Sequence, residues 1–402
     1  REGRLFLFSI GGFTFVVFKT YKMNDMKGKQ GMVCMGLLLV LSSCHTGKQI
    51  TASGLQRKDF QTEVNGQHTD LFTLSNKQGM EVCITNYGAR VVSILVPDRN
   101  GKREDVVCGF STITEYMEQR QNFGSTVGRY IGRILNARFT LDGVEYKLVP
   151  NNGKSGHISH GGNPGFADRM WKVEQADTHR VRLSYLSPDG ENGFPGNLKV
   201  TLVYSLGEDD NALDLTYEAT TDAPTVLNLS HHSFFNISGN FTKSVEDQQL
   251  WVDADRFTPY DDKKCVTGEY LQVAGTPLDF RMPHAIGECI DADHPQLKVV
   301  NGYDHTWELN TKGDDTRPAA WVYDPASGRK MEIFTTEPGM QIYTGNGLKG
   351  KMTGKGGIAY PFRSAVCFET MHFQDSPNQP GFPSTVLRPG EVFRSHTVYK
   401  FE

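Results

Sequence analysis

Residues 366–373 read Val-Cys-Phe-Glu-Thr-Met-His-Phe, an alternation of side-chain types that predicts a β-strand. In such a strand Phe368 lies on one face and Glu369 lies on the other, among largely apolar neighbours. Burial of this kind raises the pKa of a carboxyl group toward neutrality, so Glu369 is a candidate general base. Residues 375–380 are rich in Pro, Asn and Ser, which is typical of a loop that walls a site. A single glutamate in this setting more often points into water, so the functional interpretation depends on the other motifs.

The body of the chain has the pattern of an all-β protein. Short segments that alternate or favour β-residues are separated by turn sequences such as Leu-Asp-Gly at residues 141–143. The predicted strands cover residues 80–87, 89–96, 181–186, 198–206 and 213–220. Only residues 112–121 look clearly helical. Because no repeat or change of composition follows residue 60, we predict one large antiparallel β-domain over residues 61–402 with few short helices.

The composition is that of a globular protein without a cationic surface. The chain has 402 residues, of which 38% are hydrophobic, and a formal net charge of −4 without any Lys/Arg-rich run. We therefore expect no nucleic-acid partner. Beyond the N-terminal segment, the cysteines are odd in number and widely spaced, and no C-x-x-C pair occurs. This spacing predicts neither a disulfide framework nor a zinc site, and we expect no metal and no cofactor.

The N-terminal segment has the features of a secretory signal. A short basic head precedes an apolar run at residues 32–41, and Leu-Ser-Ser stands directly before Cys44. This ending resembles the bacterial lipobox, in which the cysteine is acylated and becomes the mature N-terminus. We expect translation to start at Met23 or Met26, residues 1–43 to form an upstream extension and signal peptide, and Cys44 to carry the lipid.

These features predict a location as well as a modification. After signal cleavage, residues 44–60 would form a polar tether, and the protein would lie in the bacterial cell envelope, in the periplasm. Its contact with the membrane would be only through the lipid anchor at Cys44, since the apolar stretch at residues 5–18 is too short to span a bilayer comfortably. The alternative is a disordered leader with a chance cysteine. The oligomeric state stays open.

Five further segments place polar side chains among glycines or strand-forming residues. They cover residues 127–134, 157–162, 227–236, 302–305 and 338–346. Together with the C-terminal run, these motifs resemble the aldose 1-epimerases (galactose mutarotases), in matching order over roughly residues 55–402. The resemblance implies a β-supersandwich fold. It also implies an enzyme that interconverts the α and β anomers of free aldoses such as D-galactose or D-glucose without a cofactor.

A sugar changes anomer by opening its ring, and this chemistry requires an acid and a base. We expect the two groups on opposite sides of the pyranose, with nearly matched pKa values. The resemblance makes Glu369 the base and His232 the acid. His231 stands where the family often has Asn, and strand alternation allows only one histidine of the pair to face the sugar.

The resemblance also implies four substrate-binding residues. They are Arg133, His160, Asp304 and Gln341. His160 precedes a Gly-Gly turn, and Arg133 follows Gly132, where the family commonly has Asn. One expected amide contact is therefore missing at this position, and a water molecule or another side chain would have to replace it.

Three other functions remain open from the residues alone. A glycoside hydrolase would need a second carboxylate about 5–5.5 Å from Glu369 for retention, or about 6.5–9.5 Å for inversion, and Asp304 is the obvious partner. A non-catalytic carbohydrate-binding protein on the same scaffold would bind sugar without turnover. An epimerase of hexose phosphates would need a cationic phosphate clamp. The preferred sugar stays undetermined.

Overall fold

The computed structural model describes residues 4–10, 13–19 and 49–402. The chain divides into two compact units, Arg1–His45 and Thr46–Glu402. In the first unit, the strands Arg4–Ile10 and Phe13–Lys19 pair in antiparallel register. Cys44 and the predicted signal run before it lie outside the described residues, so the lipidation stays a prediction.

Two large antiparallel sheets form the second unit. The larger sheet has nine strands, and the smaller sheet has six. In spatial order the nine strands are Lys172–Ala176, Arg180–Ser187, Leu198–Leu206, Ala212–Thr221, Phe393–Phe401, Lys330–Thr335, Ala320–Tyr323, Gln249–Val252 and His284–Ala285. The six strands are Phe234–Phe235, Val366–Met371, Gly339–Tyr343, Asp304–Glu308, Arg256–Thr258 and Leu271–Gln272.

Smaller sheets surround these two. A four-stranded sheet consists of Leu71–Ser75, Glu81–Thr85, Arg90–Pro97 and Arg103–Asp105. The two-stranded pairs are Glu63–Val64 with Gln67–His68, Ser125–Val127 with Ser230–His232, Arg133–Ile134 with Ile158–Ser159, Arg138–Leu141 with Val144–Lys147, and Thr225–Val226 with Val386–Leu387.

Helices are short and few in the described residues. The α-helix Ile113–Gln119 begins at a capping box. The Thr112 side chain accepts a hydrogen bond from the Glu115 backbone N–H, and the Glu115 side chain accepts one from the Thr112 backbone N–H. The second α-helix, Pro295–Val300, has its proline in the first turn, where the missing N–H costs nothing. The 3₁₀ turns are Arg57–Phe60, Leu135–Ala137, Gly153–Ser155, Phe166–Asp168, Glu191–Gly193, Lys355–Gly357 and Ser376–Asn378. No helix among the described residues is long and apolar enough to cross a membrane.

The core lies between the nine-stranded and six-stranded sheets, as in a sandwich. Leu202 and Leu215 of the larger sheet belong to the same buried cluster as Phe368 and Trp307 of the smaller one. Each fully buried side chain of this size contributes about 1.5–3 kcal/mol relative to exposure. The hydroxyl of Tyr399 also donates across the core to the Phe368 carbonyl at 3.0 Å.

The all-β prediction is confirmed, and each predicted strand begins and ends within two residues of an observed one. The predicted strand at residues 198–206 is observed as Leu198–Leu206. The predicted strand at residues 213–220 is one residue longer at each end, at Ala212–Thr221. The predicted domain boundaries stay predictions. Within the segment assigned to the tether, Leu55 and Phe60 are buried in a satellite hydrophobic cluster, so its end packs against the domain.

Candidate active site

A polar cavity of about 240 Å³ opens at the six-stranded sheet. All six residues that the sequence proposed for catalysis or binding line it, although they come from distant parts of the chain. They are Arg133, His160, His232, Asp304, Gln341 and Glu369. The structure therefore brings the predicted site residues together; their individual roles stay predictions.

The register of the six-stranded sheet places three of these side chains on one face. Glu369 lies directly opposite Gln341 on the neighbouring strand, and Gln341 lies opposite Thr306 on the next. Asp304, two residues before Thr306, points to the same face. Residues opposite one another across a ladder share a face, so this pairing carries Glu369, Gln341 and Asp304 into the cavity together.

The histidine pair belongs to a short strand, Ser230–His232, that pairs with Ser125–Val127. His232 lines the cavity. His231 points the other way, where its Nε2 lies 2.7 Å from the Ser233 hydroxyl and its ring lies near that of Tyr204. The alternation expected of a strand thus separates the two imidazoles.

A glycine turn positions His160. The residue itself has a positive φ of 52°, and Gly161 follows with a φ of 78°. A Cβ atom on Gly161 would lie 2.0 Å from the Gly128 carbonyl oxygen, so only glycine allows this close approach. The turn brings the His160 ring to 5.5 Å from the ring of His232, measured between centroids.

The candidate acid and base are in contact. His232 Nε2 lies 3.3 Å from Glu369 Oε1, and the two side chains are only 6% and 5% exposed. The expectation that they stand on opposite sides of a sugar ring is therefore wrong. They form one corner of the cavity, and the ring of Phe234 stacks on His232 with a centroid separation of 5.0 Å.

Burial shifts the pKa values of this pair in opposite directions. Desolvation raises the pKa of Glu369 well above its usual range; the charge of Asp304 adds to this shift, and that of Arg133 opposes it. Desolvation lowers the pKa of His232 well below its usual range, and His160 adds to that shift. A carboxyl group ordinarily loses its proton well before an imidazolium does. Both shifts oppose this order, because burial disfavours the charged form of each residue.

The predicted binding residues form a connected polar wall. Gln341 Nε2 donates to Asp304 Oδ1 at 2.7 Å, and the Thr306 hydroxyl donates to Gln341 Oε1 at 2.5 Å. Burial raises the pKa of Asp304, while the Arg133 guanidinium and the Gln341 amide oppose the rise. Burial, and then Arg133, lower the pKa of His160 to about 4, so its imidazole is neutral near pH 7.

Sequence reasoning missed other polar residues of this wall, and two of them bond with the predicted ones. Gln374 lines the cavity, and the Tyr260 hydroxyl accepts hydrogen bonds from Gln374 Nε2 at 2.7 Å and from Gln341 Nε2 at 3.5 Å. The departure at Gly132 was the available signal, because a missing amide requires a substitute nearby.

One group of potential metal ligands occurs among the described residues. The ligand atoms of His232, Cys367 and Glu369 lie within 4.8 Å of one another. Desolvation raises the pKa of the Cys367 thiol well above its usual range, with the Glu369 charge adding to the shift. A metal would therefore have to displace a tightly held thiol proton as well as the carboxyl proton, which disfavours this set as a metal site.

Comparisons with known proteins show the family of this chain. Residues 70–400 match the family model described as aldose 1-epimerase. A galactose mutarotase of Bos taurus is 40% identical over 331 residues, covering 82% of this chain and 93% of that protein. An aldose 1-epimerase of Escherichia coli (strain K12) is 36% identical over 339 residues, covering 84% and 96%.

Solved structures give the same result. The aldose epimerase homologue from C. elegans superposes with a TM-score of 0.77 at 31% identity, over 83% of this chain and 99% of that one. The galactose 1-epimerase from Lactobacillus acidophilus gives a TM-score of 0.74 at 28% identity, over 85% and 96%. This chain belongs to the aldose 1-epimerase family, and the galactose mutarotase-like fold implied by its motifs is confirmed.

Proposed function

We propose that this protein interconverts the α and β anomers of free aldoses such as D-galactose and D-glucose by opening and reclosing the sugar ring. The observation that carries the proposal is the contact between His232 and Glu369 inside a polar cavity. The cavity, at about 240 Å³, is smaller than the roughly 300–1,000 Å³ of drug-sized sites and suits a ligand as small as one monosaccharide.

The adjacency of the two groups fits the chemistry of a hemiacetal. The anomeric hydroxyl oxygen O1 and the ring oxygen O5 are both bonded to C1, so two adjacent groups can exchange protons with them. Glu369 takes the proton from O1 while His232 gives one to O5. The C1–O5 bond breaks, its electron pair stays on O5, and C1=O forms.

Reclosure reverses these proton transfers. Rotation about C1–C2 turns the other face of the aldehyde toward O5, which attacks C1. His232 then recovers the proton of O5, and Glu369 returns its proton to O1. The two residues end as they began, and each general acid–base contribution is worth about 10²–10⁴-fold.

The remaining wall residues would hold the sugar hydroxyls. Asp304 would accept hydrogen bonds, Arg133 would donate them, and Gln341 can do both. Within the described part of the chain, the buried His160 Nδ1 has no hydrogen-bond partner. Because the His160 side chain lines the cavity, we assign its ring a hydrogen bond to a sugar oxygen.

Polarimetry on freshly dissolved α-D-galactose and α-D-glucose tests the reaction. The protein should speed the drift to the anomeric equilibrium, and the Glu369→Gln variant should not. Release of the chromophore from a chromogenic glycoside, with no effect on the drift, would instead indicate a hydrolase. Sugar binding without either activity would indicate a non-catalytic protein.

We also propose that the mature protein is anchored in the bacterial cell envelope by a lipid on Cys44. This proposal rests on the basic head, the apolar run and the Leu-Ser-Ser sequence before that cysteine. The intact mass of the native protein tests it, with Cys44→Ala as the control. A mature form that begins elsewhere than at a diacylated Cys44 would contradict it.

A further inference from the structure

Gly132 leaves a space that a distant side chain occupies. Its φ is 74°, and a Cβ atom added there would lie 2.5 Å from Cγ of Gln374. Any larger residue at position 132 would therefore have to displace Gln374. The glycine and the glutamine are parts of one arrangement, although Gln374 lies 241 residues from Arg133, the neighbour of that glycine.

The amide of Gln374 is hydrogen-bonded at both ends. Its Oε1 accepts from the Arg133 backbone N–H at 3.2 Å and from Arg133 Nη1 at 3.5 Å. Its Nε2 donates to the Tyr260 hydroxyl at 2.7 Å and to Gln341 Oε1 at 3.3 Å. Two acceptor sites and two donors are the full capacity of an amide side chain, so this one is fully used by protein groups.

These contacts connect the two sides of the binding wall. On one side is Arg133, held through both its backbone and its guanidinium. On the other is Gln341, which in turn donates to Asp304 at 2.7 Å. The Gln374 side chain is buried, at 3% exposure, and it lines the cavity. It is therefore placed to fix the separation of a cationic and an anionic hydroxyl-binding group.

We propose that Gln374 is a positioning residue that sets the geometry of Arg133 and Gln341, and through them the sugar preference, in the site whose function is proposed above. Position 132 is a glycine and offers no side-chain amide to the wall. Gln374, from the C-terminal loop, supplies an amide there instead. Holding the binding groups in place before the sugar arrives lowers the entropic cost of binding.

The Gln374→Ala variant tests this role. We expect its KM for galactose and glucose to rise about tenfold or more, because a tenfold loss corresponds to about 1.4 kcal/mol, the worth of a typical lost hydrogen bond or two. The kcat should stay within a few-fold of the wild-type value, and the ratio of kcat/KM for the two sugars should change. The melting temperature should stay well above the assay temperature, so that unfolding does not explain either effect. Gln379→Ala, in the same loop but bonded to Asp375, is the matched control and should leave both constants unchanged.

A double-mutant cycle separates positioning from general damage. Gly132→Asn should raise KM in the wild-type background, because the new side chain collides with Gln374, although Asn tolerates positive φ. In the Gln374→Ala background the same change fills the vacated space with an amide and should lower KM. Additive effects, or a Gln374→Ala variant with unchanged KM and sugar preference, would overturn the proposal.

Calorimetric titration of the sugars distinguishes this failure from failure of the proposed function. If the wild type binds sugar but does not change its anomer, the catalytic proposal fails, and the weaker binding expected of Gln374→Ala still tests the positioning role.

Discussion

His231 and His232 are adjacent in one strand, and the structure separates their side chains onto opposite faces. His232 Nε2 lies 3.3 Å from Glu369, whereas His231 Nε2 lies 2.7 Å from the Ser233 hydroxyl. A doubled histidine in the sequence is therefore two residues with different surroundings, one in the cavity and one in the core. The predictions below follow from such differences.

The two histidines should respond differently to substitution. His232→Ala removes the proposed acid, and we expect kcat to fall by about 10²–10⁴-fold. His231→Asn keeps a polar group that can bond with Ser233, so kcat should change only a few-fold. Polarimetric rates of the two variants, with melting temperatures to verify folding, check this. A dead His231 variant beside an active His232 variant would mean that the acid is assigned to the wrong residue.

Glu369→Gln should abolish activity without unfolding the protein. The amide has nearly the shape of the carboxyl group but cannot take a proton from O1, so we expect a loss of about 10²–10⁴-fold in kcat. The carboxyl is buried and its pKa is raised, so the neutral amide avoids the cost of burying a charge, and the melting temperature should hold or rise. A large drop in melting temperature would show instead that Glu369 is needed for the fold.

The activity should be nearly constant over a broad pH range. The active pair of His232 and Glu369 holds one proton. It gains a second proton when His232 is protonated, and the pKa of His232 is lowered. It loses its last proton when Glu369 ionises, and the pKa of Glu369 is raised. The acid limb of the kcat profile is thereby moved down in pH and the alkaline limb up. Because the two groups are coupled, the pKa values that these limbs report describe the pair and not one residue.

Asp304→Asn tests the alkaline limb. The Asp304 charge raises the pKa of Glu369, so its removal should lower that pKa and shift the alkaline limb to lower pH. Saturating sugar keeps the measurement on kcat, because Asp304 is also a proposed binding residue. Exposed Asp262→Asn is the control. An alkaline limb that stays in place would contradict this electrostatic link.

The stability of the fold should fall as the pH is lowered from about 6.5. Burial lowers the pKa of His305 to about 3, against an unfolded value of about 6.5. Between these values the unfolded state binds a proton that the folded state does not, so unfolding becomes easier as the pH falls. Each such group contributes up to about 1.4 kcal/mol per pH unit.

Denaturation of His305→Asn between pH 7 and pH 5 measures this contribution. The variant should show a shallower loss of unfolding free energy, by about one proton's worth of slope. His68→Asn, at an exposed position, is the control. Equal slopes in all three proteins would mean that His305 does not titrate as expected.

The sequence predicted the strands because they depend on short-range patterns, and it predicted the catalytic candidates because their motifs resemble those of the aldose 1-epimerases. Alternation around Glu369 and at His231 and His232 is visible within a few residues, and the structure has the same alternation. Turn chemistry likewise marked the glycines after His160. Such signals need no knowledge of which strands become neighbours.

Two features could not be predicted because they depend on contacts between distant segments. The distance between His232 and Glu369 is set by the packing of a two-stranded pair against the six-stranded sheet. No local pattern shows this packing, and the expectation of opposite sides of the sugar was wrong for that reason. The role of Gln374 depends on the volume beside Gly132, and no local pattern shows that volume. The exchange of one amide for another is visible only when both segments are in place.

The strand that carries Glu369 is hydrogen-bonded on both edges, to Gly339–Tyr343 on one side and to Phe234–Phe235 on the other. The backbone that carries Glu369 therefore cannot move with the ligand without breaking these hydrogen bonds. Glu369 already lies 3.3 Å from His232 without a sugar, so we expect turnover to begin without a rearrangement of this strand. Such a catalyst is suited to a short-lived open-chain aldehyde, whose O5 must attack C1 again before the sugar dissociates.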